Sequence, residues 1–163
     1  MANRILEEIR QTQPFASRHE EAVLNIVRTA DTLKRAGELL FRRHGITSAQ
    51  YNVLRILRGA GERGLHCRAI ADRMITAEPD ITRLLMRMER LGLLVRQRDS
   101  VDRRMVTAIA TDRGLQLLDE LDAPLRRLQG QQFSLLSEDQ IEQLIGNLEK
   151  VRESIAQMPA NGE

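Results

Sequence analysis

Apolar residues recur with a helical period in the middle of the chain. They are spaced by three or four positions, at Ile81, Leu84, Leu85, Met88 and Leu91. This spacing places all five on one face of an α-helix. Polar and mostly basic residues share another face, at Asp80, Arg83, Arg87 and Arg90. Gly92 follows where a glycine commonly ends a helix, so the pattern predicts a short helix with one apolar and one cationic face.

The next segment changes to a strand pattern. Residues 93–97 and 105–110 are rich in β-compatible side chains, and a polar, Arg-rich turn separates them. This arrangement predicts a β-hairpin. Leu65, which follows a glycine-rich turn, is a candidate for a brief additional edge strand.

Segments with helical spacing of apolar residues also precede and follow the central helix and hairpin. Further helices are predicted over residues 3–10, 17–44, 47–59, 66–74, 112–130 and 137–155. Three of them begin with a capping-box pattern, a Ser or Thr followed three residues later by Glu or Gln, at Ser17–Glu20, Thr47–Gln50 and Ser137–Gln140.

This order of elements predicts a mainly α fold of the α+β class, a winged helix-turn-helix between long outer helices. We divide the chain into N-terminal helices (1–44), the winged helix-turn-helix (45–111) and C-terminal helices (112–163). The outer helices carry more apolar surface than a small winged domain covers, and a second copy of the chain would cover it. We therefore expect them to form a dimerisation region.

Charge is unevenly distributed along the chain. Residues 47–111 contain 12 Arg against 7 Asp or Glu, whereas the remaining residues have a net charge of −3. A basic middle section favours a polyanionic partner. Aromatic residues make up only 2% of the chain, which argues against single-strand binding because that relies on aromatic stacking.

Enzyme and membrane functions find no support in the pattern. His19, His44 and His66 are scattered without metal-ligand spacing, and no nucleophile or acid–base set is visible, so we expect no cofactor and no metal. A single cysteine, Cys67, excludes an internal disulfide. The sequence supports a redox-sensing role for Cys67 less strongly than it supports Cys67 as a small buried residue. Without a long apolar run or a signal peptide, we expect a cytoplasmic protein.

Three segments resemble the MarR family of bacterial winged-helix regulators. They are residues 80–96, the run Asp99-Ser-Val-Asp102-Arg103-Arg104, and the run Thr111-Asp-Arg-Gly-Leu. The resemblance extends over about residues 17–153, with the same order of elements. The Asp-x-x-Asp-Arg-Arg wing followed by Thr-x-x-Gly is more specific in combination than either piece alone.

The resemblance implies a homodimeric, sequence-specific regulator, a repressor whose helices enter successive major grooves of double-stranded DNA while the wings reach minor grooves. The expected DNA-binding residues are Thr76, Thr82, Arg83, Arg87, Arg98, Arg103 and Arg104. Asp99 and Asp102 are expected to support the wing by pairing with its arginines. The resemblance also implies a small aromatic or anionic effector, for which we expect a pocket bordered by Phe41, His44, Tyr51 and Arg55.

A second interpretation stays open at this point. The arginines could be a solvated helix face, and the protein a helical dimer that binds another protein and keeps the winged helix as a scaffold. Glu78, Pro79 and Asp80 favour this alternative, because they make the start of the cationic helix acidic where a DNA-reading helix usually meets bases.

Overall fold

The computed structural model describes residues 4–98 and 106–159. The helices are α1 (Arg4–Glu8), α2 (Arg18–Arg43), α3 (Ser48–Ala60), α4 (Cys67–Ala71), α5 (Ile81–Arg90), α6 (Asp112–Gln132) and α7 (Glu138–Ala156). The strands are β1 (Leu65–His66), β2 (Leu94–Arg98) and β3 (Val106–Ala110), and a 3-10 turn covers Gly61–Arg63. The chain forms two compact units, residues 1–125 and 126–163.

Side chains at the helix starts explain several element boundaries. The capping boxes at Thr47–Gln50 and Ser137–Gln140 are confirmed, with the Ser or Thr oxygen and the Gln side chain both bonded to the opposite backbone amide. The third box differs from the prediction. Ser17 accepts from the Glu20 amide, but the Glu20 carboxylate reaches one residue further back and accepts from the Ala16 N–H at 2.7 Å.

The three strands form an antiparallel sheet in the order β1-β3-β2. Leu65 lies opposite Ala108, and Leu94 lies opposite Ala110. The candidate edge strand at Leu65 is therefore present, and β2 forms the other edge of the sheet. With α3, α4 and α5 before the hairpin, this arrangement confirms the predicted winged helix-turn-helix within a mainly helical fold.

The core of the first unit is mainly aliphatic, with Phe41 as its one buried aromatic side chain among the described residues. Its fully enclosed side chains come from α3, α4, α5, β2, β3 and α6, and the largest are Leu54, Leu57, Ile70, Leu85, Met88, Leu94, Leu118 and Leu121. Burying each such side chain contributes about 1.5–3 kcal/mol. The core therefore fixes the inward face of α5 and leaves its other face to solvent.

The Thr-x-x-Gly run anchors the start of α6 to the end of α5. The Thr111 hydroxyl donates to the Gly92 carbonyl at 2.6 Å and accepts from the Gly114 amide at 3.2 Å. A Cβ on Gly114 would lie 2.2 Å from the Leu93 carbonyl oxygen, so only glycine permits this close approach. Gly92 itself has a φ of +69°, in the left-handed region that glycine tolerates best.

The second unit leaves most of its apolar side chains exposed or half-exposed. No residue of α7, which lies wholly in the described part of the chain, is buried. Its apolar residues are spaced by three or four, at Ile141, Leu144, Ile145, Leu148, Val151 and Ile155.

Among the helices of residues 4–98 and 106–159, none is long and apolar enough to cross a membrane.

Candidate nucleic-acid interface

Helix α5 separates its apolar and cationic residues as its sequence predicts. Leu84, Leu85 and Met88 are buried in the core. Thr82, Arg83, Arg87 and Arg90 are exposed. Leu91, the last residue of the apolar stripe, is 43% exposed, because it is the C-cap residue and the chain turns away there into Gly92.

Of the two acidic residues before α5, Asp80 caps the helix and Glu78 lies outside it. Asp80 is the N-cap residue, and its Oδ1 accepts from the Arg83 backbone N–H at 2.9 Å. A carboxylate here satisfies a free amide and complements the positive end of the helix dipole. Its Oδ2 lies 3.7 Å from Nε of Arg83, whose side chain remains 80% exposed. Glu78 and Pro79 precede the cap, so they lie outside the helix.

A buried asparagine fixes the turn that leads into α5. Asn52 on α3 is 6% exposed, and its Oδ1 accepts from the Ile75 backbone N–H at 2.9 Å. Thr76, the first expected DNA-binding residue, follows in the chain and is exposed. Sequence analysis missed Asn52 because its partner is 23 residues away and a polar residue on a helix gives no periodic signal.

The wing is described only at its base. Arg98 lies at the end of β2 and is exposed, opposite Val106 on β3. Asp99, Asp102, Arg103 and Arg104 lie outside the described residues, so their expected roles stay predictions.

A salt bridge that the sequence did not reveal joins α5 to the wing. Oε1 of Glu89 accepts from the Arg96 backbone N–H at 3.1 Å, and Oε2 accepts from Nε of Arg96 at 2.8 Å. The hydrogen bond from the Arg96 side chain lowers the pKa of Glu89, and the backbone N–H adds to this effect. Glu89 therefore stays ionised around neutral pH.

A second ion pair joins α3 to α6. Nη1 and Nη2 of Arg58 donate to the two carboxylate oxygens of Asp122 at 3.0 and 3.3 Å, and Asp119 lies 3.6 Å from Nη1. The hydrogen bond to Asp122 raises the pKa of Arg58. The two-point geometry fixes the orientation of α3 against α6.

Residues expected near an effector are divided between two places. Phe41 and Tyr51 stack with ring centroids 4.6 Å apart, and Arg55 is exposed one turn after Tyr51 on α3. His44 instead borders a cleft of about 350 Å³, which we name the α2–α6 cleft. The cleft is lined by His44, Gly45, Ile46, Leu91, Leu93, Arg113, Gln116, Leu117 and Glu120.

The remaining candidate side chains form no reactive site in the described residues. Cys67 is half-buried against the core. Nδ1 of His66 lies 3.1 Å from the hydroxyl of Thr107, its partner across the sheet. Within residues 4–98 and 106–159, no group of three or more His, Cys, Asp or Glu could hold a metal ion.

Comparison with known proteins gives a consistent result. A family model described as the MarR family matches residues 44–105. The chain is 33% identical to the HTH-type transcriptional regulator YkoM of Bacillus subtilis over 141 residues, which are 83% of this chain and 90% of that protein.

Solved structures extend the similarity to the fold. A MarR transcription factor from Planctomyces limnophilus is 39% identical, covers 83% of this chain and 98% of its own, and superposes with a TM-score of 0.65. The PcaV transcriptional regulator from Streptomyces coelicolor, solved with its natural ligand, is 28% identical over 77% of this chain and 90% of its own, with a TM-score of 0.65.

Proposed function

Because this chain belongs to the MarR family of DNA-binding transcription regulators, and not to a family of enzymes, we propose that it works as a cytoplasmic homodimer that reads its operator through α5. The observation that carries the proposal is the exposed face of this helix. Thr82, Arg83 and Arg87 project from it, while its opposite face is locked in the core. A rigid helix of this kind can hold side chains in register with base edges of the major groove.

Each of the expected DNA-binding side chains has a chemically suitable partner on DNA. Arg83 and Arg87 lie about one turn apart, and each can bond guanine O6 and N7 or grip a phosphate. Thr82 and Thr76 are short enough to touch a base or a phosphate. At the wing, Arg98, Arg103 and Arg104 would approach a narrow minor groove, whose negative potential attracts arginine. Asp99 and Asp102 would pair with neighbouring arginines at the tip.

The exposed apolar side chains of two helices support the proposed dimer. On α7, Leu144, Ile145, Val151 and Ile155 are exposed in the single chain, and α2 exposes Val23, Val27 and Leu39. Apolar surface exposed on two long helices raises the free energy of the single chain in water, and a partner related by two-fold symmetry would cover that surface. A homodimer also presents two copies of α5, which suits a palindromic operator with half-sites about 10 base pairs apart.

Replacing Arg83 or Arg87 by alanine should weaken operator binding about 10- to 100-fold, because each change removes a contact to a base or a phosphate. The operator is first selected from genomic DNA fragments, and affinity is then measured by fluorescence anisotropy at ~0.1 M salt. Arg18→Ala is the matched control, since Arg18 is an exposed arginine that pairs with Glu21 at the start of α2. Equal affinities for all three variants would contradict the assignment of α5.

The same selection tests the alternative protein-interaction module. That module predicts weak, sequence-independent DNA binding and no enriched fragment. The capping role of Asp80 weakens the main observation in its favour, since the carboxylate bonds a free amide at the helix start and leaves the Arg83 side chain 80% exposed. Enrichment of one palindromic site would exclude the module reading.

We further propose that the α2–α6 cleft holds a small anionic effector. Its volume of about 350 Å³ falls in the range of small-molecule sites. Arg113 supplies a cationic donor fork. His44 donates from Nδ1 to the Leu40 carbonyl at 3.0 Å, so in the neutral ring Nε2 is an acceptor that suits a hydroxyl. PcaV, solved with its natural ligand, supports a ligand-binding role.

A panel of benzoates tests the cleft. At a concentration of 100 times its dissociation constant, a bound compound should stabilise the protein by about 2.7 kcal/mol, which thermal unfolding detects. Arg113→Gln should abolish the stabilisation by that compound. Arg126→Gln, on the same helix but outside the cleft lining, is the control. Stabilisation that survives Arg113→Gln would place the ligand elsewhere.

A further inference from the structure

The contact between Glu89 and Arg96 holds the backbone of β2 as well as the two side chains. One carboxylate binds both the backbone amide of Arg96 and its guanidinium, with Oε2 also 2.8 Å from Nη2. The guanidinium contact alone would leave the strand free to shift beneath a flexible side chain. The backbone hydrogen bond ties the strand itself to α5, and both side chains are partly shielded, at 35% and 23% exposure.

The contact lies between the two parts of the proposed DNA surface. Glu89 is in the last turn of α5, two residues after Arg87, and Arg96 is two residues before Arg98 on β2. Arg96 pairs with Ala108 of β3 on one side. Because its amide donates to Oε1 of Glu89, it points away from β3, to the outer edge of the sheet, where no further strand pairs with β2 in the described structure.

Local rules do not explain a glutamate at this position. The C-terminal end of a helix carries a partial negative charge, so an acidic side chain in the last turn is unfavourable. A negative charge is also unfavourable on a surface that meets phosphate. A residue that conflicts with its local environment usually serves a tertiary or functional purpose. The purpose consistent with these contacts is to hold the wing strand against the helix.

We propose that the Glu89–Arg96 pair is a positioning element that sets the wing strand at a fixed angle to α5, so that Arg83 and Arg98 reach one DNA segment together. The inference rests on the proposed function. It assigns Arg96 a role different from that of Arg98: its Nε and Nη2 face Glu89, so it holds the wing and does not contact the DNA backbone. Glu89 and Arg96 act through the residues they place.

A double-mutant cycle tests this role. Glu89→Gln keeps an acceptor for the Arg96 amide but removes the ion pair, and it should weaken operator binding about fivefold to tenfold. In the original chain, Arg98→Ala should weaken binding about fivefold. In the Glu89→Gln background, Arg98→Ala should cost less than about twofold, because the wing is no longer held in place. Arg83→Ala should cost the same factor in both backgrounds, since α5 stays fixed by its core.

Three comparisons make the outcome decisive. Arg18→Gln breaks the exposed pair with Glu21 at the start of α2 and should leave affinity unchanged. Arg96→Gln provides a second perturbation that leaves the backbone hydrogen bond in place, and it should reproduce the loss of coupling if Glu89→Gln unfolds the domain. Thermal unfolding of every variant separates misfolding from weakened binding.

Failure of this inference is distinguishable from failure of the proposed function. If Arg83→Ala and Arg98→Ala both weaken binding in the original chain, but by the same factors in the Glu89→Gln background, the positioning role is overturned and the DNA contacts stand. If neither weakens binding in the original chain, the proposed DNA contacts are wrong, and the positioning role is overturned with them.

Discussion

The double substitution Ile145→Glu with Ile155→Glu should convert the protein to a monomer and reduce operator affinity more than about 100-fold. Ile145 and Ile155 are 53% and 61% exposed in the single chain. In the proposed dimer they lie against a second copy, where each contributes about 1.5–3 kcal/mol. Two buried, unpaired carboxylates would add a penalty of several kcal/mol. A monomer engages one half-site only, so the contacts of the second half-site are lost.

Analytical ultracentrifugation gives the mass, and fluorescence anisotropy gives the affinity. Gln143→Glu with Ser154→Glu is the matched control, because it adds the same charges on the polar face of α7. Circular dichroism should show similar helix content in both double variants, since no residue of α7 is buried in the single chain. A double variant at positions 145 and 155 that remains dimeric would show that α7 is not the interface.

The second large effect concerns Gly114→Ala, which should destabilise the protein by about 3 kcal/mol or more. The new Cβ would lie 2.2 Å from the Leu93 carbonyl oxygen and 3.0 Å from a methyl of Leu54. The carbonyl belongs to backbone that also accepts from the Thr111 amide at 3.1 Å. The strain therefore cannot be relieved by one flexible side chain, and α6 must move away from the sheet.

Thermal unfolding at fixed protein concentration measures this effect, with an expected fall in Tm of about 6–12 °C. Gly130→Ala on the same helix is the control, because its Cβ would meet nothing within 4 Å. Alanine there should stabilise by about 0.5–1 kcal/mol, since glycine is a poor helix former. Equal Tm values for the two variants would refute the close-packing explanation of the Thr-x-x-Gly run.

Much of the fold was predictable because its signals are local. The capping boxes at Thr47 and Ser137, the apolar face of α5 and the strand pattern of the hairpin each depend on residues within about ten positions. The start of α5 was less clear from sequence. Asp80 has the right spacing to join the arginine face, and only the backbone bend shows that it stands before the first turn as a cap.

The site was predictable only in part. The exposed arginines of α5 follow from its amphipathic period, and the structure places them where expected. Asn52 and the Glu89–Arg96 pair depend on contacts between different elements, which a one-dimensional pattern does not encode. Glu89 and Arg96 have opposite charges on either side of Gly92, but in a chain with many charged residues this spacing alone does not predict that the two side chains pair. The pairing of Phe41 with Tyr51 likewise depends on how α2 and α3 pack.

The cap at Asp80 has a consequence for how the helix can meet DNA. Free amides at a helix N-terminus often hold a phosphate, but here a carboxylate occupies that position and repels any anion placed against the tip. In the proposed complex the helix therefore approaches the double strand along its flank, through Arg83 and Arg87. In that complex, the helix tip would attract DNA phosphates less, and phosphates are the same at every sequence. The arginine contacts that depend on base identity would be kept. If α5 binds DNA as proposed, the carboxylate of Asp80 would lower sequence-independent binding to phosphates more than it lowers operator binding.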